Sequence, residues 1–133
     1  MTVETFSVED QVRTGEKVNL CDKLALINDH WNPRIVGALN GQHVKLVKFS
    51  GAFVWHQHEH EDELFLVVKG VLLMKLRDRD LWLHEGELAI IPHGVEHLPV
   101  AEGEVQVILL EPKTTVNTGD AQRDRTMTQL QRI

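Results

Sequence analysis

Residues 51–70, GAFVWHQHEHEDELFLVVKG, decide how this chain folds. Three of the chain's eight histidines fall here at every second position, His56, His58 and His60, with Glu59, Glu61, Asp62 and Glu63 among and after them. In an extended strand, side chains two residues apart point to the same face. His56 and His58 therefore aim two imidazoles into one space, and His60 continues their period. The apolar run from Leu64 to Val68 has the length and composition of a buried strand, and Gly70 permits a turn after it. Neutral imidazole nitrogens beside carboxylate oxygens suit divalent metals of the middle transition series. A lone histidine in such a charged stretch reads as a solvated loop residue, whereas a pair on one face beside a carboxylate reads as a ligand site. Downstream, residues 86–97, GELAIIPHGVEH, add a second apolar strand, a Pro-Gly turn and a terminal histidine.

Together the two stretches resemble the paired motifs of the cupin family. His56, His58, Glu63 and Gly70 match the first motif, in which a glycine precedes His-x-His, a glutamate and a later glycine. Gly86, Pro92, Gly94 and His97 match the second, Gly-x5-Pro-x-Gly-x2-His. Only residues 71–85 separate them, as in compact bacterial members. Gly51 lies one residue closer to His56 than is usual, and Ala101 stands where an asparagine is common; neither departure removes a ligand. The resemblance implies an all-β, RmlC-like jelly-roll barrel over about residues 23–112. Residues 1–133 then form a single cupin domain, with an N-terminal arm over 1–22 and a polar tail over 113–133. It also implies that His56, His58, Glu63 and His97 hold one divalent transition metal per chain: iron, manganese, nickel, zinc or cobalt. Small cupins of this kind resemble proteins labelled mannose-6-phosphate isomerase-like, a label that describes the barrel and not an activity.

Outward from these motifs, the chain reads as short strands punctuated by Gly, Pro and Asp turns, which by itself argues a β-barrel or sandwich. Strands are expected over 23–27, 34–39, 42–49, 71–76, 81–84, 88–91 and 105–110. Asn40-Gly41 closes a hairpin, Ser50-Gly51 breaks a strand, residues 77–80 form a charged turn, and Pro112 ends the last strand. Residues 1–20 are polar, with a short helical turn expected near 8–12. After Lys113 the chain is rich in Thr, Asn, Gln and Arg, and an extended tail is expected; Met127, Leu130 and Ile133 form only a faint apolar stripe. A net charge of −6 makes nucleic acid an unsuitable partner. No apolar run approaches membrane-spanning length, and the acidic first twenty residues lack the apolar segment of a secretory signal. Cys21 is the single cysteine and has no internal disulfide partner; a small buried side chain is expected there, and a cytoplasmic address for the protein.

Three neutral imidazoles and one carboxylate leave room on a metal for water, oxygen or a chelating substrate. His60 and Glu61 are the rivals or neighbours of that set. Phe65, two residues after Glu63, is expected in the cavity wall with Ile91 and Leu98, while Trp55 faces away. Arg77 and Arg79 are expected in solvent, and His30, His43, His84 and His93 as ordinary polar residues. Two function classes fit: a metal-dependent, dioxygenase-like enzyme acting on a small molecule, or a non-catalytic module binding a small ligand or the metal. A sugar isomerase or epimerase fits less well, because an acid–base pair is missing. His60 and Glu61 are the near candidates for a base, so the catalytic residues stay unassigned. A homodimer bridged by the N-terminal arm is the expected assembly, with a small molecule as the other partner.

Overall fold

The computed structural model describes residues 15–121, 126–127 and 129–133. One short helix, α1 (Leu20–Leu24), precedes seven strands: β1 (Arg34–Leu39), β2 (Gln42–Ala52), β3 (Glu63–Lys69), β4 (Leu72–Leu76), β5 (Asp80–Leu83), β6 (Leu88–Ile91) and β7 (His97–Pro112). All paired strands are antiparallel. They run in the order β1-β2-β7-β3-β6, with β4 also on β7 and β5 on β4, and close into a jelly-roll barrel. β7 is the spine, pairing with β2, β3 and β4 along its sixteen residues.

The Asn40-Gly41 hairpin forms as its residue types dictate. Both residues take positive φ, 47° and 74°, and Leu39 pairs directly with Gln42 across the turn. Other boundaries differ from expectation. Residues 23–27 are not a strand. Asn19 caps α1 by accepting the Asp22 backbone N–H at 2.9 Å, which favours a helix start over an extended run. The apolar residues Leu24 and Ile27 then pack on Val36 and Leu46, on the outer side of the β1–β2 sheet. Cys21 in the same helix is exposed and not buried. Ser50-Gly51 does not break β2; a register shift between Phe49 and Gly51 absorbs the extra residue and the strand continues to Ala52. β7 begins at His97, well before Val105, because residues 97–100 pair with β4 even though Pro99 gives no donor.

Alternation places Val47, Phe49, Phe65, Val67, Leu72, Met74, Val105, Val107 and Leu109 inside the barrel. Each such side chain contributes roughly 1.5–3 kcal/mol when fully buried. The expected helical turn near 8–12 lies outside the described residues. The tail is anchored rather than simply extended. Its last residues pair with β1, with Ile35 N–H donating to Gln131 O at 2.9 Å and Ile133 N–H to Ile35 O at 3.0 Å. Ile133 thereby joins the cluster under α1. Among the described residues, no helix is long and apolar enough to cross a membrane.

Candidate metal centre

β2 ends at Ala52, and the chain then crosses one mouth of the barrel in an extended, largely unpaired path. His56 anchors that path through a two-bond bridge to His97: His56 N–H to His97 O at 3.1 Å, and His97 N–H to His56 O at 2.9 Å. Gly94 N–H donates to His58 O at 2.8 Å and ties the turn between β6 and β7 to the same path. Glu63 opens β3 with its side chain inward. His56, His58, Glu63 and His97 are all buried, and one donor atom from each lies within 4.8 Å of the others.

Ring orientation follows from the backbone. His56 Nδ1 donates to Val54 O at 2.8 Å, and His97 Nδ1 to Val95 O at 2.9 Å. A ring that donates through Nδ1 keeps a lone pair at Nε2. Glu63 Oε1 lies 3.3 Å from His58 Nε2 and 3.4 Å from His97 Nε2. His58 Nε2, His97 Nε2 and Glu63 Oε1 are fully buried without a hydrogen-bond partner. Leaving such atoms unmatched costs about 1–3 kcal/mol each. Three neutral nitrogens and one anionic oxygen, converging with lone pairs inward, fit a divalent cation, and these four residues could hold one metal ion.

The electrostatics agree with a neutral His56 ring beside an anionic Glu63. Burial, reinforced by His97, pushes the His56 imidazole down from 6.5 to about 4. Burial by itself raises Glu63, but the adjoining Glu111 carboxyl and the His58 and His97 rings outweigh that and hold it well below the usual carboxylate range.

Glu111 is the residue that the motifs did not reveal. It continues the inward face of β7, Val105, Val107, Leu109, Glu111, and is 1% exposed. Lys45, equally buried on β2, reaches Glu111 Oε1 at 2.7 Å. Burial and the neighbouring Glu63 push the Glu111 carboxyl well above its ordinary value, against the pull of Lys45. Counted as two carboxylates, Glu63 and Glu111 would repel; one proton between them makes the contact a hydrogen bond. Period two from Val105 was the signal, and stopping the strand at Leu110 hid it.

Beside the cluster lies a cavity of about 30 Å3, lined by His56, Glu63, Glu111 and Asn117 and by Trp31, Phe49, Phe53, Phe65, Pro99 and Leu109. Trp31 stacks between Phe49 and Phe53 at centroid separations of 4.3 and 4.6 Å. Phe65 meets the edge of His97 at 6.0 Å. Ile91 is buried opposite Glu63 in the β3–β6 register. Leu98 does not line the cavity: it alternates with the inward His97 and Pro99 and faces the other side of the sheet, so Pro99 takes its place. His60 and Glu61 do not continue the ligand face. The chain bends at Glu59-His60, leaving the His60 side chain 80% exposed beside Glu59 and turning Glu61 toward Thr114. Trp55 faces away as expected, and Arg77 is exposed as expected, with its guanidinium 3.8 Å over the Trp55 ring and paired with Glu96.

The tail closes over the outside of the site. Asp120 N–H donates to Gln57 O at 3.0 Å, and Asp120 Oδ1 accepts Gln57 N–H at 2.9 Å. Gly119 sits against the same peptide: a Cβ there would meet Gln57 O at 2.1 Å and His56 Cδ2 at 3.1 Å.

Comparison with known proteins agrees with this geometry. The structure resembles a cupin-2 domain containing protein from Shewanella frigidimarina, with 44% identity, a TM-score of 0.71, and 72% of this chain and 94% of that one covered. Protein NMB1881 from Neisseria meningitidis is similar at 32% identity and a TM-score of 0.68, over 74% of this chain and all of that one. An uncharacterized Bacillus subtilis protein, YdbB, is 35% identical over 63 residues, 47% of this chain; the chain spans just over half of that relative, 56%. Residues 43–112, which carry all four clustered side chains, match the cupin domain, and the chain belongs to that family.

Proposed function

We propose that this cupin is a metal-dependent enzyme of the dioxygenase-like, oxidoreductase class acting on a small molecule. The observation that carries the reading is a buried three-histidine, one-glutamate cluster opening directly onto an aromatic-walled cavity. His56, His58, Glu63 and His97 would hold one divalent transition metal, which when bound supplies a Lewis-acid and redox centre with positions left for ligands. The chain's own residues do the rest. Nδ1 hydrogen bonds fix two of the rings. Trp31, Phe49 and Phe53 exclude water and offer apolar contact, and Asn117 adds a polar group to the wall. At about 30 Å3 the cavity takes about two water-sized molecules, which suits a diatomic ligand beside the cluster.

A second reading has its own support. Glu111 places a titratable carboxyl in the cavity wall, the acid–base group a proton-transferring isomerase needs. Oxygen uptake on a panel of small hydroxy acids, thiols and phenols, with the metal loaded, separates the two. Uptake dependent on the metal and abolished in His58→Ala supports the oxidoreductase. Isomer formation without uptake supports the alternative, and turnover independent of the metal refutes both. Elemental analysis of His58→Ala should show occupancy well below one ion per chain. A homodimer is proposed as the assembly, since Leu88 and Ile90 on the outer face of edge strand β6 are 52% and 58% exposed.

A further inference from the structure

Lys45 and Glu111 are buried charged groups to which the metal reading gives no ligand role. The register that sets Leu64 opposite Leu110 brings Glu63 beside Glu111 at the next position. On the other side of β7, His43 faces Glu111 and Lys45 faces Leu109, so Lys45 reaches Glu111 along the diagonal of the same inward face. The result is a chain of three side chains on three adjacent strands. Lys45 Nζ holds Glu111 Oε1 at 2.7 Å, the register sets the Glu111 carboxyl beside Glu63 in the same cavity wall, and Glu63 Oε1 lies 3.3 and 3.4 Å from His58 and His97 Nε2. Among the described residues, Glu111 Oε2 is fully buried without a hydrogen-bond partner.

A buried ion pair is poor evidence of a stabilising role, because apolar residues of similar volume serve a core as well or better. Val47, Phe49, Val107 and Leu109, at inward positions on the same strands, are apolar, while His43, buried opposite Glu111, is polar. The charges occur where they touch a carboxylate of the cluster. We propose that Glu111, anchored by Lys45, is a positioning residue that fixes the rotamer of Glu63, and so sets the affinity and coordination of the cluster for a divalent ion. This rests on the metal reading above. A free glutamate side chain rotates about three bonds, and a ligating carboxylate left unsupported loses about 10- to 100-fold in metal affinity.

Cobalt(II) titration of the full-length protein tests it, because the visible absorption of bound cobalt reports coordination and not fold stability. Glu111→Gln keeps a donor for Glu63 and an acceptor for Lys45, and should keep the parent spectrum and affinity. The double variant Lys45→Met/Glu111→Leu removes the pair without stranding a charge. It should bind cobalt about 10- to 100-fold more weakly and, at saturation, show shifted bands. Glu111→Asp withdraws the carboxyl by one methylene while keeping the functional group, and should shift the bands in the same direction; it decides the matter if the double variant does not fold. Parent-like bands and affinity in Glu111→Asp and in any folded double variant would overturn the positioning role while leaving the metal site standing. A parent protein that binds no cobalt would overturn the metal reading and this proposal with it.

Discussion

Gly119→Ala should detach the tail from the metal-site strand. Gly119 has φ +55°, a region that costs an L residue roughly 1–2 kcal/mol. The new methyl would also stand 2.1 Å from Gln57 O and 2.9 Å from its carbonyl carbon, both backbone atoms with no rotamer to yield. The tail must therefore move, and it carries the two Asp120–Gln57 hydrogen bonds with it. At about 1 kcal/mol net for each bond, the docked tail loses about 3 kcal/mol in all. Hydrogen exchange reads this locally. The Gln57 and Asp120 amides should lose about 100-fold of protection, since 1.4 kcal/mol corresponds to tenfold. The Val67 amide, which donates to Glu87 O on the far side of β3, should keep its protection. Unchanged protection at Gln57 in a folded Gly119→Ala protein would refute the close-packing argument. A uniform loss at Gln57 and Val67 alike would show that tail and barrel open together, and would refute local docking.

Further outcomes follow from the same contacts. Removing bound metal with a chelator should lower the melting temperature by about 10 °C, from the ~2.7 kcal/mol that a hundredfold ligand excess contributes in a domain of this size; an unchanged melt after confirmed removal would count against a folded-state site. The Gln57 N–H holds the Asp120 carboxylate below its ordinary value of 3.8. Its contribution to tail docking is thus fully present above pH 3.8 and lost as pH falls through the lower folded value, which a pH series of Gln57 exchange protection, corrected for intrinsic rates, should register. Ile90→Asp places a charge on the exposed apolar edge of β6 and should shift the proposed dimer toward monomer in light scattering at micromolar concentration; a parent that is already monomeric would rule the dimer out.

What could be read from the sequence was what depends on local periodicity. The inward positions of β3 and β6, the Asn40-Gly41 hairpin and the convergence of His56, His58, Glu63 and His97 all repeat at period two or sit in a fixed motif. The errors share a cause in tertiary context. An N-cap at Asn19 outweighed the apolar pattern of residues 23–27. A bend at Glu59-His60 ended the alternation that would have carried His60 inward. Apolarity alone points Leu98 inward, whereas the strand phase that His97 sets turns it to the other face. Lys45 and Glu111 were passed over because charged residues in strands usually face water, and their burial follows only from each other and from Glu63.

The cavity wall is assembled from more of the chain than the cluster it serves. All four clustered residues lie within residues 43–112, the segment shared with other cupins, whereas Trp31 and Asn117 reach the cavity from either side of it. The clustered residues and part of the cavity wall are thereby encoded in separable stretches. Substitutions at Trp31 or Asn117 can reshape the cavity without altering a clustered residue, provided Gly119 and Asp120 keep their contacts with Gln57. For a chemist seeking to reshape this cavity, Trp31 and Asn117 are the places to vary, and the clustered residues are the part to leave alone.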